Sequence, residues 1–381
     1  MNNDTFKGIV IGSVVTLLVT LTITTVSQNS NIVDSKSLTK LNTITSIIEK
    51  NYYGNLDKEE VLNGIYSGAL FNVDDYSCYL SNDDFNEFTT EEQRKFGVGI
   101  RYTYNKYTKV YKVDYIYDNS PASESDIKRN DIIMAIDDVD IYGMEMEEVH
   151  NLLVGNEGSK VKLTLLRDEE TIDIELVRRD VYFPYAFVEK LNEDTAYIKI
   201  TSFTGTVVDD FKKAFEPYTN YNNLVIDLRG NLGGELDLML EILKTLVPDC
   251  NVCTITYNNR TESVDIKSSA IKNYNIVVLC NDATASCSEV FIGAIKGNNF
   301  GTIIGVDTFG KNEMQEIFKV DKDSFIKLTV GQITTPDGFN WHEVGISPDI
   351  ELEYEYLGND YEESNLLMDN QISKALDVFD K

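Results

Sequence analysis

Histidine is nearly absent from this 381-residue chain: His150 and His342 are the only two, which excludes a histidine-rich metal centre. The five cysteines, Cys78, Cys250, Cys253, Cys280 and Cys287, are an odd number and argue against a disulfide framework. Cys250-Asn251-Val252-Cys253 has redox or zinc half-site spacing, but no second C-x-x-C exists to complete a zinc site, so the pair reads as small half-buried residues after Pro248. Basic residues are also scarce. With 34 Lys and Arg against 63 Asp and Glu, the formal charge is −29, which excludes a protein that tracks nucleic-acid phosphates. What remains is 42% hydrophobic and 25% charged, the make-up of a folded globular chain long enough for more than one domain.

The one long uncharged run is Gly8 to Val26, 19 residues that as a helix reach about 28 Å, near the hydrocarbon thickness of a bilayer. It reads as an N-terminal membrane anchor, the alternatives being a cleaved signal peptide or a buried core helix, and no A-x-A-like cleavage site follows. Lys7 before it is offset by Asp4, and Lys36 and Lys40 follow, so charge does not set its orientation.

Leu38 to Leu70 carries apolar residues at helical spacing, interrupted afterwards by the turn formers Asp74-Asp75-Tyr76-Ser77. From Ile100 to Val181 short β-rich runs (Val110 to Ile116, Asp131 to Ile136, Val161 to Leu166, Thr171 to Val177) surround one helical stretch, Met144 to Leu153. A second region alternates strands and helices: Thr195 to Ile200, Val207 to Tyr218, Asn223 to Leu228, Leu236 to Leu246, Asn275 to Leu279, Ser288 to Ile295, Thr302 to Val306. Such repetition predicts a layered α/β domain.

Polar turns at the ends of apolar strands are where α/β domains keep their sites. Asp227-Leu228-Arg229-Gly230-Asn231-Leu232-Gly233-Gly234 has glycines that let backbone amides face a ligand. Asn281-Asp282-Ala283-Thr284-Ala285-Ser286-Cys287-Ser288-Glu289 puts hydroxyls at a helix start, where free amides favour a developing anion. A serine there is usually just an N-cap. Thr308-Phe309-Gly310-Lys311-Asn312-Glu313-Met314-Gln315 supplies a third piece. With histidine so scarce, a serine nucleophile can be activated by a lysine whose amine is desolvated until it accepts a proton near neutrality. Asp227 and Arg229 read either as catalytic or as an ion pair supporting the glycine turn. Ser269-Ala270-Ile271-Lys272 matches S-x-x-K but lacks its S-D-N and K-T-G partners and reads as surface, and His342 as partly buried.

D-L-R-x-N-x-G-G, S-x-S-E at a helix start and T-F-G-K-x-x-x-Q together resemble the C-terminal processing peptidases, or tail-specific proteases. In that family the lysine follows the serine by 25 residues and the glutamine follows the lysine by four; here 311 − 286 = 25 and 315 − 311 = 4, which selects Ser286 over Ser288. Asp74-Asp75-Tyr76-Ser77-Cys78-Tyr79-Leu80 resembles the family's D-x-Y-S-x-Y-L segment, and Thr334 to Gly338 with Gly345 to Asp349 its closing strands. Departures are Asp126 and Asn130 where the family's PDZ module has glycines, Leu232 for proline, Cys287 for alanine and Asn312 for glycine.

The resemblance implies a crotonase-like layered β/α peptidase core with an inserted PDZ domain, divided as anchor 1–30, helical segment 31–95, PDZ domain 96–181, core 182–355 and C-terminal helical segment 356–381. It implies a serine endopeptidase in which Ser286 attacks, Lys311 is general base then acid, Gln315 orients Lys311, and the backbone N–H groups of Cys287 and Gly233, with Gly234 the competitor, hold the oxyanion. Gly97, Val98, Gly99 and Ile100 would form the PDZ loop that captures a peptide carboxylate. No metal or cofactor is expected. Expected partners are proteins with accessible C-termini, the membrane through residues 8–26, and a second copy of the chain. The catalytic part is expected outside the cytoplasm on a single-pass anchor. The rival reading is a non-catalytic PDZ scaffold of the same fold.

Overall fold

The computed structural model describes residues 17–18, 32–89, 94–105, 108–358 and 365–380. They fall into two compact units. The first comprises residues 1–90, 256–260 and 313–332. Its helix Ser35–Asn51 starts at Asp34, whose side chain accepts Ser37 N, and its helix Lys58–Leu70 starts at Asp57, which accepts Glu59 N and Glu60 N. These caps satisfy amides that have no partner within the helix. The expected single helical stretch is therefore broken at 52–57, where Gly54, Asn55 and the capping Asp57 supply the signal. Neither helix buries a residue. Strand Ser324–Thr334 pairs antiparallel with Glu313–Lys319 and with Cys78–Ser81. Leu80, Ile317 and Phe325 form the small core beneath, where Phe85 stacks on Phe325.

Of the uncharged run 8–26 only Leu17–Leu18 is described, as a two-residue strand parallel to Gln315 and Glu316; the remainder lies outside the described residues. Among the described residues no helix is long and apolar enough to cross a membrane.

The second unit comprises residues 91–255, 261–312 and 333–381. Within it, Val98 to Leu176 close a core of their own. Its antiparallel sheet runs in the order Ile100–Asn105, Val110–Ile116, Ile132–Ile136, Lys160–Arg167, Glu170–Val177, with helix Met146–Leu153 beside it. Asn130 takes the left-handed conformation at φ 78°, which asparagine tolerates, whereas Asp126 is not among the positive-φ residues.

The larger sheet of this unit starts with Ala186–Lys190 antiparallel to Thr195–Ile200 and continues in parallel through Asn223–Asp227, Asn275–Cys280, Gly301–Gly305 and Ile350–Glu351. Its central strands are nearly continuous apolar runs because helices Val207–Phe215, Leu236–Leu243, Cys287–Gly297 and Asn370–Phe379 connect or follow them. The architecture is mixed α/β, as the alternating pattern predicts. Of the expected closing strands, Thr334 ends a strand, Thr335 to Gly338 makes a turn, and Ile350–Glu351 supplies the sheet edge.

Candidate active site

Three loops leave the carboxyl ends of neighbouring parallel strands, and a lattice of hydrogen bonds fixes them to one another. Asp227, the last residue of its strand, is buried and accepts from Arg229 (2.7 and 3.0 Å), Lys199 Nζ (3.1 Å) and the Tyr197 hydroxyl (2.6 Å). Burial alone would raise its pKa, but Arg229 and Lys199 hold the carboxyl well below its usual range. Arg229 also reaches Asp369 (2.8 Å) and Gln371 (2.9 Å) at the start of the C-terminal helix. These two residues are thus an ion-paired support for the glycine turn.

Asn231, fully buried, organises that turn. Its Nδ2 donates to Ile200 O (3.1 Å), its Oδ1 accepts Gly233 N (2.9 Å), and its carbonyl accepts Ala285 N (3.0 Å). The Gly233 amide therefore has a side-chain partner, which it must exchange to serve an oxyanion. Gly233 lies against the second loop: a Cβ there would sit 2.9 Å from Ala285 O, Cys287 N and Ser286 Cβ, at φ +104°. Thr284 Oγ1 donates to Leu228 O (3.0 Å) and Gly230 N to Asn281 Oδ1 (2.9 Å), stitching the two loops together.

Ser286 stands immediately before helix Cys287–Gly297 with φ 57° and ψ −118°. A non-glycine residue there is strained, and such strain persists where the surroundings over-determine it. The helix N-terminus offers Cys287 N–H beside the Ser286 side chain, since the first amides of a helix have no partner within it. The buried Cys287 thiol is pushed well above its ordinary pKa by desolvation.

Glu289 ties the second loop to the third. Its carboxylate is wholly buried and accepts four hydrogen bonds: Ser286 N (2.7 Å) and Lys311 N (2.9 Å) on Oε2, Thr308 Oγ1 (2.6 Å) and Gly310 N (2.7 Å) on Oε1. Burial pushes its pKa up, against the pull of those donors. One oxygen thus joins the main chains of Ser286 and Lys311. The lysine loop is held further by Trp341 Nε1 on Lys311 O (3.2 Å), Phe309 N on Thr284 O (3.0 Å) and Asn312 Nδ2 on Ile333 O (2.8 Å). Ser286 is 2% and Lys311 3% exposed.

Gln315 belongs to the first unit, on strand Glu313–Lys319, and is completely buried. Its Nε2 donates to Thr329 Oγ1 (3.2 Å), while its carbonyl oxygen accepts no hydrogen bond from any described residue. In the small sheet of the second unit, Val98 and Ile100 are buried, Val98 O accepts Ala122 N (2.9 Å), and Gly99, at φ +77°, packs so closely on Ser120 that a Cβ would overlap it. Gly97 ends strand Arg94–Gly97, and Ile100 begins the edge strand of the sheet. Outside these sites, Lys272 of the S-x-x-K match is bonded to Asn220 O and Asn222 at the surface. His342 is exposed, and burial raises the Cys253 thiol to about 12.

Glu289, Thr308, Asn231 and Trp341 join this constellation. Asn231, Thr308 and Glu289 stand in the motifs quoted above but with no role assigned to them, although S-x-x-E at a helix start is a capping box; Trp341 had no signal.

The family model for "Peptidase family S41" matches residues 194–352, and that for "PDZ domain" matches residues 112–167. The chain is 29% identical over 352 residues to the carboxy-terminal processing protease CtpA of Bacillus subtilis (strain 168), covering 90% of this chain and 75% of that protein. It is 28% identical over 365 residues to a probable CtpA-like serine protease of Staphylococcus aureus (strain COL), covering 91% and 72%. The crystal structure of a putative S41 protease from Bacteroides fragilis NCTC 9343 shares the fold, with TM-score 0.58 and 18% identity over 87% of this chain and 91% of that one.

Proposed function

Because the chain belongs to the PDZ-containing C-terminal processing peptidases and is a serine-type endopeptidase, we propose that Ser286 is its nucleophile, Lys311 its general base and Gln315 the residue that orients Lys311. In the first step Ser286 Oγ bonds to the scissile carbonyl carbon and gives its proton to the Lys311 amine. The negative charge that forms on the carbonyl oxygen is met by Cys287 N–H and by an amide of the glycine turn. Each such donor supplies about 3 to 4 kcal/mol of transition-state stabilisation. Collapse of this intermediate breaks the C–N bond, and the Lys311 ammonium returns its proton to the departing amine. Water then attacks the acyl ester, giving its proton to Lys311, and Ser286 is released. Of the two turn amides, Gly234 needs no exchange with Asn231, whereas Gly233 does.

The observation that carries this reading is the Glu289 bridge: one buried carboxylate oxygen accepts both Ser286 N and Lys311 N. It gives nucleophile and base a common anchor.

The PDZ module supplies the tail selection in this reading. A peptide added along the edge strand Ile100–Asn105 would present its carboxylate to the amides of Gly97, Val98, Gly99 and Ile100. The crotonase-like core, the insertion of the module within it, anchoring through residues 8–26, an extracytoplasmic catalytic part and pairing of two copies belong to the same proposal. Exported or membrane proteins are the substrates that fit it.

The test uses the full chain with an unfolded substrate offered with a free or an amidated C-terminus, beside Ser286→Ala and Lys311→Ala. Cleavage of the free-tailed form, lost in both variants, is expected. Equal cleavage by either variant contradicts the catalytic assignment, and indifference to amidation contradicts the role of the PDZ loop.

A further inference from the structure

The segment Asp74-Asp75-Tyr76-Ser77 reaches through its hydrogen bonds to the strand that carries Thr329. Asp74 Oδ1 accepts the amides of Tyr76 and Ser77, both at 2.7 Å, and Oδ2 accepts the Ser77 hydroxyl at 2.7 Å. Having spent its proton on Asp74, the Ser77 oxygen accepts Thr329 N at 3.0 Å, across 252 residues of sequence. Burial opposes it, but the hydrogen bonds from Ser77 and Tyr76 hold Asp74 below its ordinary pKa.

The strand that Ser77 holds through Thr329 N also faces Gln315, whose Nε2 donates to Thr329 Oγ1 at 3.2 Å. The carbonyl end is thereby turned the other way, buried and without a hydrogen bond from any described residue. The strand pairing reinforces this. Met314 lies opposite Gly331 but Gln315 opposite Thr329, so Val330 is an extra residue in the partner strand and the bulge falls beside Gln315. Bulges re-aim side chains in this way.

We propose that Thr329, supported by Asp74 and Ser77, is a positioning residue that fixes which end of the Gln315 amide faces outward. The inference rests on the reading above, in which the Gln315 carbonyl accepts a proton of the Lys311 amine and so directs its lone pair. An amide turned over would present N–H groups to that amine and occupy the lone pair the reaction needs. Thr329 thus acts on the base through Gln315 alone.

The experiment compares full-chain wild type, Thr329→Val, Thr329→Ser, Gln315→Ala and the Thr329→Val/Gln315→Ala double variant, measuring kcat, KM and the pH dependence of kcat. Valine keeps the shape of threonine and removes the acceptor. The expected result is a drop in kcat of about tenfold with KM within twofold, restored by serine, and no further drop when the substitution is added to Gln315→Ala. The acid limb of kcat should move to lower pH, because an ammonium that loses its acceptor is less stable. Ser77→Ala, which removes the acceptor of Thr329 N together with its hydrogen bond to Asp74, should give a smaller loss of the same kind and serves if the valine variant fails to fold.

Impaired Gln315→Ala beside unimpaired Thr329→Val, or a drop that serine does not restore, overturns the positioning role and leaves the site reading standing. Unimpaired Gln315→Ala overturns the reading of Gln315 itself, and this inference with it.

Discussion

Exchanging Glu289 for glutamine replaces one oxygen by an NH2 with almost no change in size, yet the site has four donors and no acceptor around that carboxylate. The orientation the glutamine adopts can be worked out. On the Oε2 side stand two backbone amides, Ser286 and Lys311, neither of which can turn; on the Oε1 side stand Gly310 N and the Thr308 hydroxyl, and the hydroxyl can rotate to accept. The oxygen therefore stays with Ser286 and Lys311, and Gly310 N–H is orphaned against an NH2. One charge-assisted hydrogen bond worth about 1.5 to 3 kcal/mol disappears, and a buried amide left unpaired costs about 1 to 3 kcal/mol more. Relief from burying a charge offsets part of this, consistent with burial being what raises the Glu289 pKa. A net loss of about 2 to 4 kcal/mol in the join between the serine and lysine loops follows, or roughly 30- to 1,000-fold in kcat/KM where it appears fully in the transition state. The assay is steady-state cleavage of a free-tailed substrate by wild type and Glu289→Gln, with thermal unfolding measured in parallel. A variant within threefold of wild type and with unchanged Tm refutes the bridging role.

Gly233→Ala should lower kcat/KM at least about 100-fold, because its Cβ meets Ser286 and Cys287 at 2.9 Å, whereas Gly230→Ala, also at positive φ but with nothing within 4 Å, should cost only about 1 to 2 kcal/mol of stability and little activity. Similar kinetics for the two would contradict the packing of the glycine turn on the nucleophile. Asp227→Asn leaves Lys199 without its anion and Arg229 with Asp369 alone, and should destabilise the fold by about 3 kcal/mol at pH 7. The folded-state pKa of Asp227 is depressed below 3.8, so its contribution is present above that value and lost as pH falls through the folded value; the gap between wild type and variant should narrow below about pH 4 in denaturant titrations. Alkylating reagents at pH 8 should leave activity intact and Cys253, Cys280 and Cys287 unmodified by mass spectrometry, since all three are buried and desolvation raises their thiols, to about 12 for Cys253 and Cys280 and well above the ordinary value for Cys287. Inactivation that tracks modification of Cys287 would point instead to a thiol enzyme.

The parallel sheet was legible because buried parallel strands write themselves as apolar runs. Asn223–Asp227 and Asn275–Cys280 lie where the pattern predicts, and the helix expected from Ser288 starts at Cys287. The candidate catalytic residues were legible for a different reason. A serine before a helix, glycines in a strand-end turn and a lysine loop after the next strand are each local features, and the resemblance to a family with the same serine-to-lysine spacing singles out Ser286. What no local pattern encodes is the hydrogen bonding that joins them. Glu289 reads as a capping box and is one through Ser286 N, but its other three donors come from Thr308, Gly310 and Lys311, twenty residues on. The Asn231 to Gly233 contact depends on the turn's conformation, and the Thr329 to Gln315 contact on a bulge between two strands. Trp341, the chain's single tryptophan, shows nothing in sequence of its bond to the Lys311 carbonyl.

The central claim is that Ser286, activated by Lys311, forms the covalent intermediate. It is tested most directly by treating the full chain with a serine-reactive fluorophosphonate and locating the adduct by peptide mass spectrometry in wild type, Ser286→Ala and Lys311→Ala. The account predicts one adduct, on Ser286, absent from Ser286→Ala and formed at least about 100-fold more slowly in Lys311→Ala. An adduct on Ser288 or Cys287, or labelling of Ser286 at an undiminished rate without Lys311, would contradict it.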